Sequence, residues 1–164
     1  MQRENESDDG SQKVAVITGS SKGIGKAIAI EFAKEGYKIV LNARDEDELI
    51  EAVNDVKKTI GATEERVTYS VGDISQENIC ISLIEHTIKV FGRIDVLVNN
   101  AGVGGASKSV QELTSDDWDY VIDVNLKGAF LCIREAIKKM TYGDKSTRKT
   151  YAIINFSSVH ESIP

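Results

Sequence analysis

The fold of this chain is decided by residues 18–25, which read Thr-Gly-Ser-Ser-Lys-Gly-Ile-Gly. They follow a short run of β-forming residues at 14–17 and lead into a segment of helical periodicity that begins at Ile24. A glycine-rich turn between a strand and a helix lets the backbone approach a pyrophosphate and directs unpaired helix N–H groups at the anion. This placement predicts a nucleotide-binding site, although three glycines alone would also fit an ordinary tight turn.

The spacing of these glycines, G-x-x-x-G-x-G, separates the turn from two common phosphate-binding motifs. It is not the dinucleotide fingerprint G-x-G-x-x-G. It is not a P-loop either, because Gly19 lies one residue too early for the P-loop lysine and Ala27 stands where a Ser or Thr would bind magnesium.

The composition is that of an ordinary globular protein and narrows the choice of partner. Of the 164 residues, 41% are hydrophobic and 28% are charged. No apolar run approaches the ~18 residues that a membrane span requires. The net charge of −6 opposes nucleic-acid binding, which needs clustered Lys and Arg. We therefore expect a small-molecule partner, with neither nucleic acid nor a membrane bound.

The two cysteines, Cys80 and Cys132, are far apart in the sequence. They form no C-x-x-C pair and have no histidine at metal-binding spacing, so neither a zinc site nor a disulfide framework is indicated. We expect no bound metal, and a reducing, cytoplasmic location.

Short strand patterns rich in Val and Ile alternate with helical patterns along the chain. The predicted strands are residues 13–18, 38–42, 67–71, 94–99 and 151–157, and the predicted helices are residues 24–34, 45–60, 76–91 and 115–140. Helices of this length cross over between parallel strands and cover both faces of the sheet. The alternation predicts one α/β domain over residues 13–164, preceded by a disordered polar tail at residues 1–12.

Apolar stripes and end signals predict how two of these helices lie and where they begin. The stripe predicted for the first helix consists of Ile24, Ala27, Ile28 and Phe32. Ser75 and Ser115 are the predicted N-caps of the third and fourth helices, because a serine oxygen can accept a hydrogen bond from the first turn.

Polar residues gather where the predicted strands end. They are Thr18-Gly19 after the first strand, Gly72-Asp73 after the third, residues 99–102 after the fourth and Ser157-Ser158 after the fifth. Ligands of open parallel sheets bind outside the carboxyl ends of the strands. Each group alone is equally well explained as a turn that satisfies local backbone groups. Four groups on one edge favour a binding crevice.

These strand-end residues resemble the motifs of the short-chain dehydrogenase/reductase family. Its T-G-x-x-x-G-x-G motif is met by residues 18–25 and its N-N-A-G motif by residues 99–102. Its helix asparagine is matched by Asn125 and its strand-end serine by Ser158. Each of these four matches alone is weak evidence for the family, but all four in this order are specific to it.

The resemblance extends from about residue 13 to the end of the chain. Residues 118–136 and 154–161 look most like the glucose 1-dehydrogenase branch. The resemblance implies a Rossmann-type doubly wound parallel sheet, incomplete at its C-terminal side. It also implies a nicotinamide cofactor and, in the complete protein, a homo-oligomer that is a dimer or a tetramer.

The resemblance also implies roles for individual residues. The catalytic residues would be Ser158 and Asn125. The cofactor-binding residues would be Thr18, Gly19, Ser21, Lys22, Gly23, Ile24, Gly25, Arg44, Asp73, Ile74, Asn99, Ala101 and Gly102. Asp73 would accept a hydrogen bond from the adenine amino group, or it would simply cap an Asx turn.

The end of the second strand predicts the choice of cofactor. NAD-preferring sites place a carboxylate there for the ribose 2′-hydroxyl, whereas Ala43-Arg44 supplies a small residue and a guanidinium that suit the 2′-phosphate of NADP. Lys22 matches a basic position of NADP-preferring family members. Alternatively, Arg44 is a surface charge paired with Asp47 or Glu48. Asp45 could instead allow the use of NAD.

Asn125 falls within an apolar stripe of the predicted fourth helix. The other members of this stripe are Trp118, Val121, Ile122, Ala129, Ile133, Ala136 and Met140. We therefore expect Asn125 to be buried, where it would bond locally and bend the helix or serve a polar site beside it. By resemblance it would do both, holding a water next to the catalytic lysine.

Ser158 would, by resemblance, hydrogen-bond the substrate oxygen that gains or loses a proton. Ser157 is the neighbouring alternative, because side chains alternate along a strand and only one of the two can point into the site. The general acid/base implied by the family is a tyrosine in Tyr-x-x-x-Lys, and none of the five tyrosines in this sequence is followed by Lys at that spacing.

We therefore expect this chain to be the N-terminal portion of an NADP-preferring oxidoreductase that acts on an alcohol or carbonyl, such as the sugar glucose. The 164 residues alone are expected to be inactive. One alternative is a 3-oxoacyl-carrier-protein reductase, which looks alike at every motif quoted. Another, if the chain ends at Pro164, is a non-catalytic NADP-binding module.

Overall fold

The computed structural model describes residues 12–61, 64–140 and 150–158. The predicted tail, apart from residue 12, lies outside these ranges.

Five strands form one parallel sheet. They are β1 (Val14–Thr18), β2 (Lys38–Ala43), β3 (Val67–Val71), β4 (Val96–Asn99) and β5 (Ala152–Asn155). Their order across the sheet is β3-β2-β1-β4-β5, and every neighbouring pair is parallel. The chain moves outward from β1 to β3 and then returns to the other side of β1, so the order reverses between β1 and β4. This is the predicted Rossmann-type arrangement, with shorter fourth and fifth strands than expected.

Within the described residues, five α-helices flank the sheet. They are α1 (Gly23–Lys34), α2 (Glu46–Ile60), α3 (Glu77–Phe91), α4 (Ser115–Ile122) and α5 (Ala129–Met140). A π-helical segment, Asp123–Gly128, joins α4 to α5, so the predicted fourth helix is helical throughout but not uniformly α. Across the described ranges, none of the helices combines the length and apolar content needed to cross a bilayer.

Both predicted N-caps are wrong by one residue. The fourth helix is capped by Thr114, whose hydroxyl accepts a hydrogen bond from the backbone N–H of Asp117, while the Asp117 carboxylate accepts from Thr114 N. This reciprocal capping box satisfies two groups at the helix start, which Ser115 would not do. The third helix begins after Gln76, whose side chain makes no capping bond.

Helix α1 packs on the sheet through a face that matches the predicted stripe only in part: Ile28 and Phe32 are half-buried against the core, whereas Ile24 and Ala27 are exposed. Its buried residues are Gly25, Ala29 and Ala33, spaced four apart on one side of the helix. Ile24, a member of the predicted stripe, is 62% exposed. Small side chains let the helix axis approach the sheet closely, so here close approach takes precedence over the burial of larger residues.

Strand β1 separates two hydrophobic clusters and is fully buried. Val14 and Val16 face a cluster formed with α3 and α5, whereas Ala15 and Ile17 face a cluster formed with α1 and α2. Side chains alternate between the two faces of a strand, so both faces of the sheet are covered, as predicted.

The two cysteines meet in the cluster beneath α3 and α5. The Sγ atoms of Cys80 and Cys132 are 3.6 Å apart, and both side chains are fully buried. The hydrogen bond between the thiols and the burial of Cys132 raise its pKa, so it stays protonated. Separation in the sequence gave no indication of this contact.

Asp95 ties the strands together at their amino ends. One carboxylate oxygen accepts a hydrogen bond from Val14 N at 2.8 Å, and Arg93 forms a bidentate ion pair with both oxygens. The backbone N–H of Asp95 donates to Val14 O, and its carbonyl accepts from Ala152 N. Asp95 thus links β1 and β5 through the residue that precedes β4.

Replacing this carboxylate should destabilise the fold. We expect Asp95→Ala to lower the free energy of unfolding by about 3 kcal/mol, because it removes the carboxylate that binds a half-buried guanidinium and a buried N–H. Urea denaturation of both proteins measures the change. Asp119→Ala, at an exposed position on α4, is the control and should change stability by less than about 0.5 kcal/mol. Equal losses in the two variants would contradict the role of Asp95.

Candidate nucleotide-binding site

The hydroxyl of Thr18 fastens the end of β1 to the end of β4. Its Oγ1 accepts hydrogen bonds from the backbone N–H groups of Asn100 and Ala101, both at 3.1 Å, and donates to Val98 O. The Asn100 amide returns the contact by donating to Thr18 O and Gly19 O. The glycine turn and the Asn-Asn-Ala-Gly segment therefore face each other where the strand order reverses.

Two glycines allow this close approach. Gly19 has φ of +62°, and a Cβ there would lie 2.6 Å from the Cα of Ala101. Gly25, at the start of α1, would place a Cβ 2.5 Å from Nδ2 of Asn100. Neither position has room for a side chain. The backbone of the turn is therefore open to a ligand on one side and held against the Asn100 loop on the other.

A cavity of about 560 Å³ lies outside the carboxyl ends of the strands. Eight residues predicted to bind a cofactor line it. They are Gly19, Ser21, Lys22, Arg44, Asp73, Ile74, Ala101 and Gly102. The structure thus brings together residues from the ends of β1, β3 and β4 and from the loop after β2, as the strand-end rule predicts.

The other predicted site residues do not line this cavity. Thr18, Gly25 and Asn99 are buried in its supporting structure. Gly23, Ile24, Asn125 and Ser158 are exposed outside its lining.

Sequence reasoning left several lining residues out of the predicted set. They are Asn42, Ala43, Asp45, Glu48, Gly72, Asn100, Val103 and Val124. Ala43, Asp45, Gly72 and Asn100 were noted at the strand ends but not assigned to the cofactor, and the strand-end rule could also have found Asn42. Val124 and Glu48 lie on helical segments, and only the packing of those segments brings them to the cavity.

Asn42 holds the end of β2 in place. Its buried side chain donates to Ser70 O at 3.0 Å and to Gly72 O at 3.2 Å, at the end of β3. Its backbone N–H donates to the hydroxyl of Ser20 in the glycine turn, and its carbonyl accepts from Ser20 N. The loop that carries Arg44 and Asp45 is therefore positioned from both neighbouring strands.

The charged residues of the cavity pair across it. Lys22 Nζ lies 2.7 Å from Glu48 Oε1, and Arg44 Nη1 lies 3.8 Å from Asp73 Oδ2. The ion-pair partner of Arg44 thus comes from the loop after β3 and not from α2. A hydrogen bond with Tyr120 and the charge of Asp73 hold the pKa of Arg44 above its ordinary value. Arg44 is a permanent cation at the cavity rim.

Asp73 forms the Asx turn that was the alternative interpretation of this residue. Its Oδ1 accepts from Ser75 N at 2.9 Å, and its Oδ2 faces Arg44. The turn fixes the direction of the carboxylate, so this structural role and a role in ligand binding are compatible.

Asn125 is exposed, and the expectation that it is buried is wrong. It lies in the π-helical segment, where the longer turn shifts it out of the apolar stripe, and Val124 and Gly128 are buried instead. Its side chain accepts from Val103 N at 2.8 Å and donates to Val103 O at 3.0 Å. Asn125 thus positions a loop that lines the cavity, rather than bonding within its own helix.

Ser157 and Ser158 follow β5 and are both exposed. The strand pairs with β4, and Asn99 Nδ2 donates to Asn155 Oδ1 at 2.9 Å. Within the described residues, the buried Oδ1 of Asn99 has no hydrogen-bond partner. The same residues contain no group of three or more His, Cys, Asp or Glu placed to hold a metal ion.

Comparison with known proteins identifies what this arrangement is similar to. The family model described as short chain dehydrogenase matches residues 13–164. The chain is 38% identical over 148 residues to a 3beta-hydroxysteroid dehydrogenase of Mediterraneibacter gnavus, covering 90% of this chain and 50% of that protein. It is 36% identical over 152 residues to glucose 1-dehydrogenase 2 of Bacillus subtilis, covering 93% and 56%.

A third relative is a 3-oxoacyl-(acyl-carrier-protein) reductase of Staphylococcus aureus, 37% identical over 147 residues, covering 90% of this chain and 56% of that protein. The chain spans about half the length of the curated relatives it matches. Because the three identities are so close, similarity alone does not select one substrate.

Solved structures share the fold. L-sorbose reductase from Gluconobacter frateurii, complexed with NADPH and L-sorbose, matches with a TM-score of 0.80 and 38% identity, covering 91% of this chain and 53% of that one. NAD+-bound xylitol dehydrogenase matches with a TM-score of 0.81 and 30% identity, covering 95% and 56%.

The close contact at Gly25 makes a specific prediction. Gly25→Ala should lower the free energy of unfolding by about 1–3 kcal/mol, because the new methyl group would collide with the backbone oxygen of Gly19 as well as with the Asn100 amide. Thermal or urea unfolding measures it. Gly104→Ala is the control, since a Cβ there meets nothing within 4 Å. A Gly25→Ala protein as stable as the control would show that the turn is not held as tightly as described.

Proposed function

Since the chain belongs to the short-chain dehydrogenase family, we propose that the whole protein transfers a hydride between NADP(H) and an alcohol or carbonyl group of a small molecule. The observation that carries this proposal is the cavity at the reversal of strand order, where the glycine turn, which has no room for a Cβ at Gly19 or Gly25, meets two cations, Lys22 and Arg44. Relatives of known structure hold NADPH in one case and NAD+ in another, which supports a nicotinamide cofactor.

The residues present fit such a cofactor. The diphosphate would lie against the turn at residues 19–25, where the positions of Gly19 and Gly25 leave backbone in place of side chains. Asp73 and Ile74 would contact the adenine, and Ala101 and Gly102 the remainder of the dinucleotide. Thr18 and Asn99, which are buried and do not line the cavity, would hold the ends of β1 and β4 in place. When bound, the nicotinamide would supply the hydride chemistry.

Two residues are proposed to act near the reacting atoms. Ser158 would donate a hydrogen bond to the substrate oxygen, with Ser157 as its neighbour. Asn125 would be a positioning residue, because its amide holds both backbone groups of Val103, which lines the cavity.

The proposed preference for NADP rests on Arg44. Its side chain is 58% exposed at the rim, and its ion pair with Asp73, at 3.8 Å, is long enough to be exchanged for a phosphate contact. NAD remains a possible second cofactor, because Asp45 also lines the cavity and could accept from a ribose hydroxyl.

A charge reversal tests this role of Arg44. Arg44→Asp should weaken NADP binding ten- to a hundredfold, roughly the value of one charge-assisted hydrogen bond, while NAD binding changes much less. Isothermal titration with each cofactor measures both. Lys58→Asp, the same charge change at the far end of α2, is the control. If NADP affinity is unchanged in Arg44→Asp, the phosphate contact is refuted.

The substrate class is tested by steady-state assays of the whole protein. We expect oxidation of glucose with NADP, in line with the sequence resemblance. Reduction of an acetoacetyl thioester would favour the carrier-protein reductase, which has nearly the same identity to this chain. No turnover of glucose would remove the sugar proposal. Cofactor binding without turnover of any alcohol or carbonyl would favour the non-catalytic module.

We also propose that the whole protein is a homo-oligomer, a dimer or a tetramer, in the cytoplasm. The proposal of an oligomer is supported by large apolar side chains exposed along the α4–α5 region, namely Trp118, Leu126, Phe130 and Ile137.

A further inference from the structure

Glu48 reaches from the first turn of α2 to the glycine turn. Its two carboxylate oxygens accept from different residues of that turn, Oε1 from Lys22 Nζ at 2.7 Å and Oε2 from Ser21 Oγ at 2.9 Å. Its backbone N–H is bound by the side chain of Asp45, the N-cap of α2, which fixes the start of the helix. Glu48 also lines the cavity, with 40% of its side chain exposed.

We propose that Glu48 is a specificity-determining residue for the cofactor: its carboxylate holds Lys22 away from the ribose 2′ position, favours the 2′-hydroxyl of NAD and opposes the 2′-phosphate of NADP. This inference rests on the proposed function, since it requires the adenine end of a nicotinamide cofactor to lie in this cavity.

The balance of charge supports the inference. Lys22 and Arg44 are the cations that line the cavity, and Asp45, Glu48 and Asp73 are the anions. A 2′-phosphate must therefore compete with carboxylates that already pair with both cations. The 2′-hydroxyl adds no charge and can donate a hydrogen bond to a carboxylate.

The other two carboxylates that line the cavity, those of Asp45 and Asp73, accept hydrogen bonds from the backbone. Asp45 accepts from the backbone of Glu48, and Asp73 accepts from the backbone of Ser75. Only Glu48, among the carboxylates that line the cavity, has both of its described partners in the glycine turn. In related folds a carboxylate at the end of the second strand accepts from the ribose. Here Ala43 ends that strand, and Glu48 approaches from the helix.

The ionised state of Glu48 is secure near neutral pH. Hydrogen bonds from Lys22 and then Ser21 hold the pKa of Glu48 below its usual value. Its charge would therefore be lost only in acid. The Lys22–Glu48 pair is also largely exposed, so a phosphate can displace it at modest cost. Glu48 therefore weakens the proposed NADP preference set by Arg44 without reversing it.

Removing the charge of Glu48 tests the inference. We expect Glu48→Gln to bind NADP about tenfold more tightly, because one like charge near the phosphate is gone and Lys22 is released. NAD binding should stay the same or weaken, so the ratio of the two affinities should rise by at least about tenfold. Isothermal titration of the whole protein with NADP, NAD, adenosine 2′,5′-bisphosphate and adenosine 5′-monophosphate gives these ratios without an assay of turnover.

Glu46→Gln is the matched control, because Glu46 makes the same first turn of α2 acidic but does not line the cavity. Its affinity ratio should equal that of the unaltered chain. Lys22→Gln is the second variant and leaves Glu48 in place. It should weaken NADP and the bisphosphate without weakening NAD.

The results of these titrations distinguish a failure of the Glu48 inference from a failure of the proposed function. An unchanged ratio in Glu48→Gln, with both cofactors bound, overturns the role of Glu48 and leaves the proposed function standing. Should Glu48→Gln fail to fold, an equal effect of Lys22→Gln on both cofactors overturns it instead. If the unaltered whole protein binds neither cofactor, the proposed function itself fails.

Discussion

The hydrogen bonds made by the Thr18 hydroxyl are the constraint on which the site depends. A single buried oxygen accepts from the backbone of Asn100 and Ala101, on the far side of the point where the strand order reverses. Without it, two backbone N–H groups near the floor of the crevice would lose their partner, at a cost of about 1–3 kcal/mol each if they stayed buried. The crevice therefore has a fixed floor, since β1 and β4 cannot separate at their carboxyl ends without breaking these bonds.

The fixed floor brings the glycine turn close to the Asn100 loop. Gly19 and Gly25 have no room for a Cβ, and α1 rests on the sheet through Gly25, Ala29 and Ala33. The turn thereby offers backbone amides to a ligand at a distance that side chains would prevent. The class of cofactor depends on this backbone geometry. The choice between cofactors depends on flexible charged side chains at the rim, which exchange partners at little cost.

Much of the fold was predictable because its signals are local. Strand β3 has the predicted bounds, and the first three helices begin within one residue of the prediction. Predictions failed where packing against residues distant in the sequence determined the structure. The stripe of α1 was chosen by apolar size, but packing selected small residues. Asn125 was assigned to a buried stripe, but the π-helical segment turned it outward to Val103. Cys80 and Cys132 are 52 positions apart, and only the packing of α3 on α5 brings them into contact.

The amino-acid sequence by itself determined the α/β alternation, the glycine turn and the family, because periodicity, turn chemistry and motif spacing are properties of neighbouring residues. It also named eight of the residues that line the cavity, because parallel strands bring their carboxyl ends to one edge. Tertiary structure alone decided the partners of the charged side chains, such as Lys22 with Glu48 and Arg44 with Asp73. The physical reason is that ionic and hydrogen-bonding contacts act over a few ångströms, and which groups come that close is set by how whole helices and strands pack.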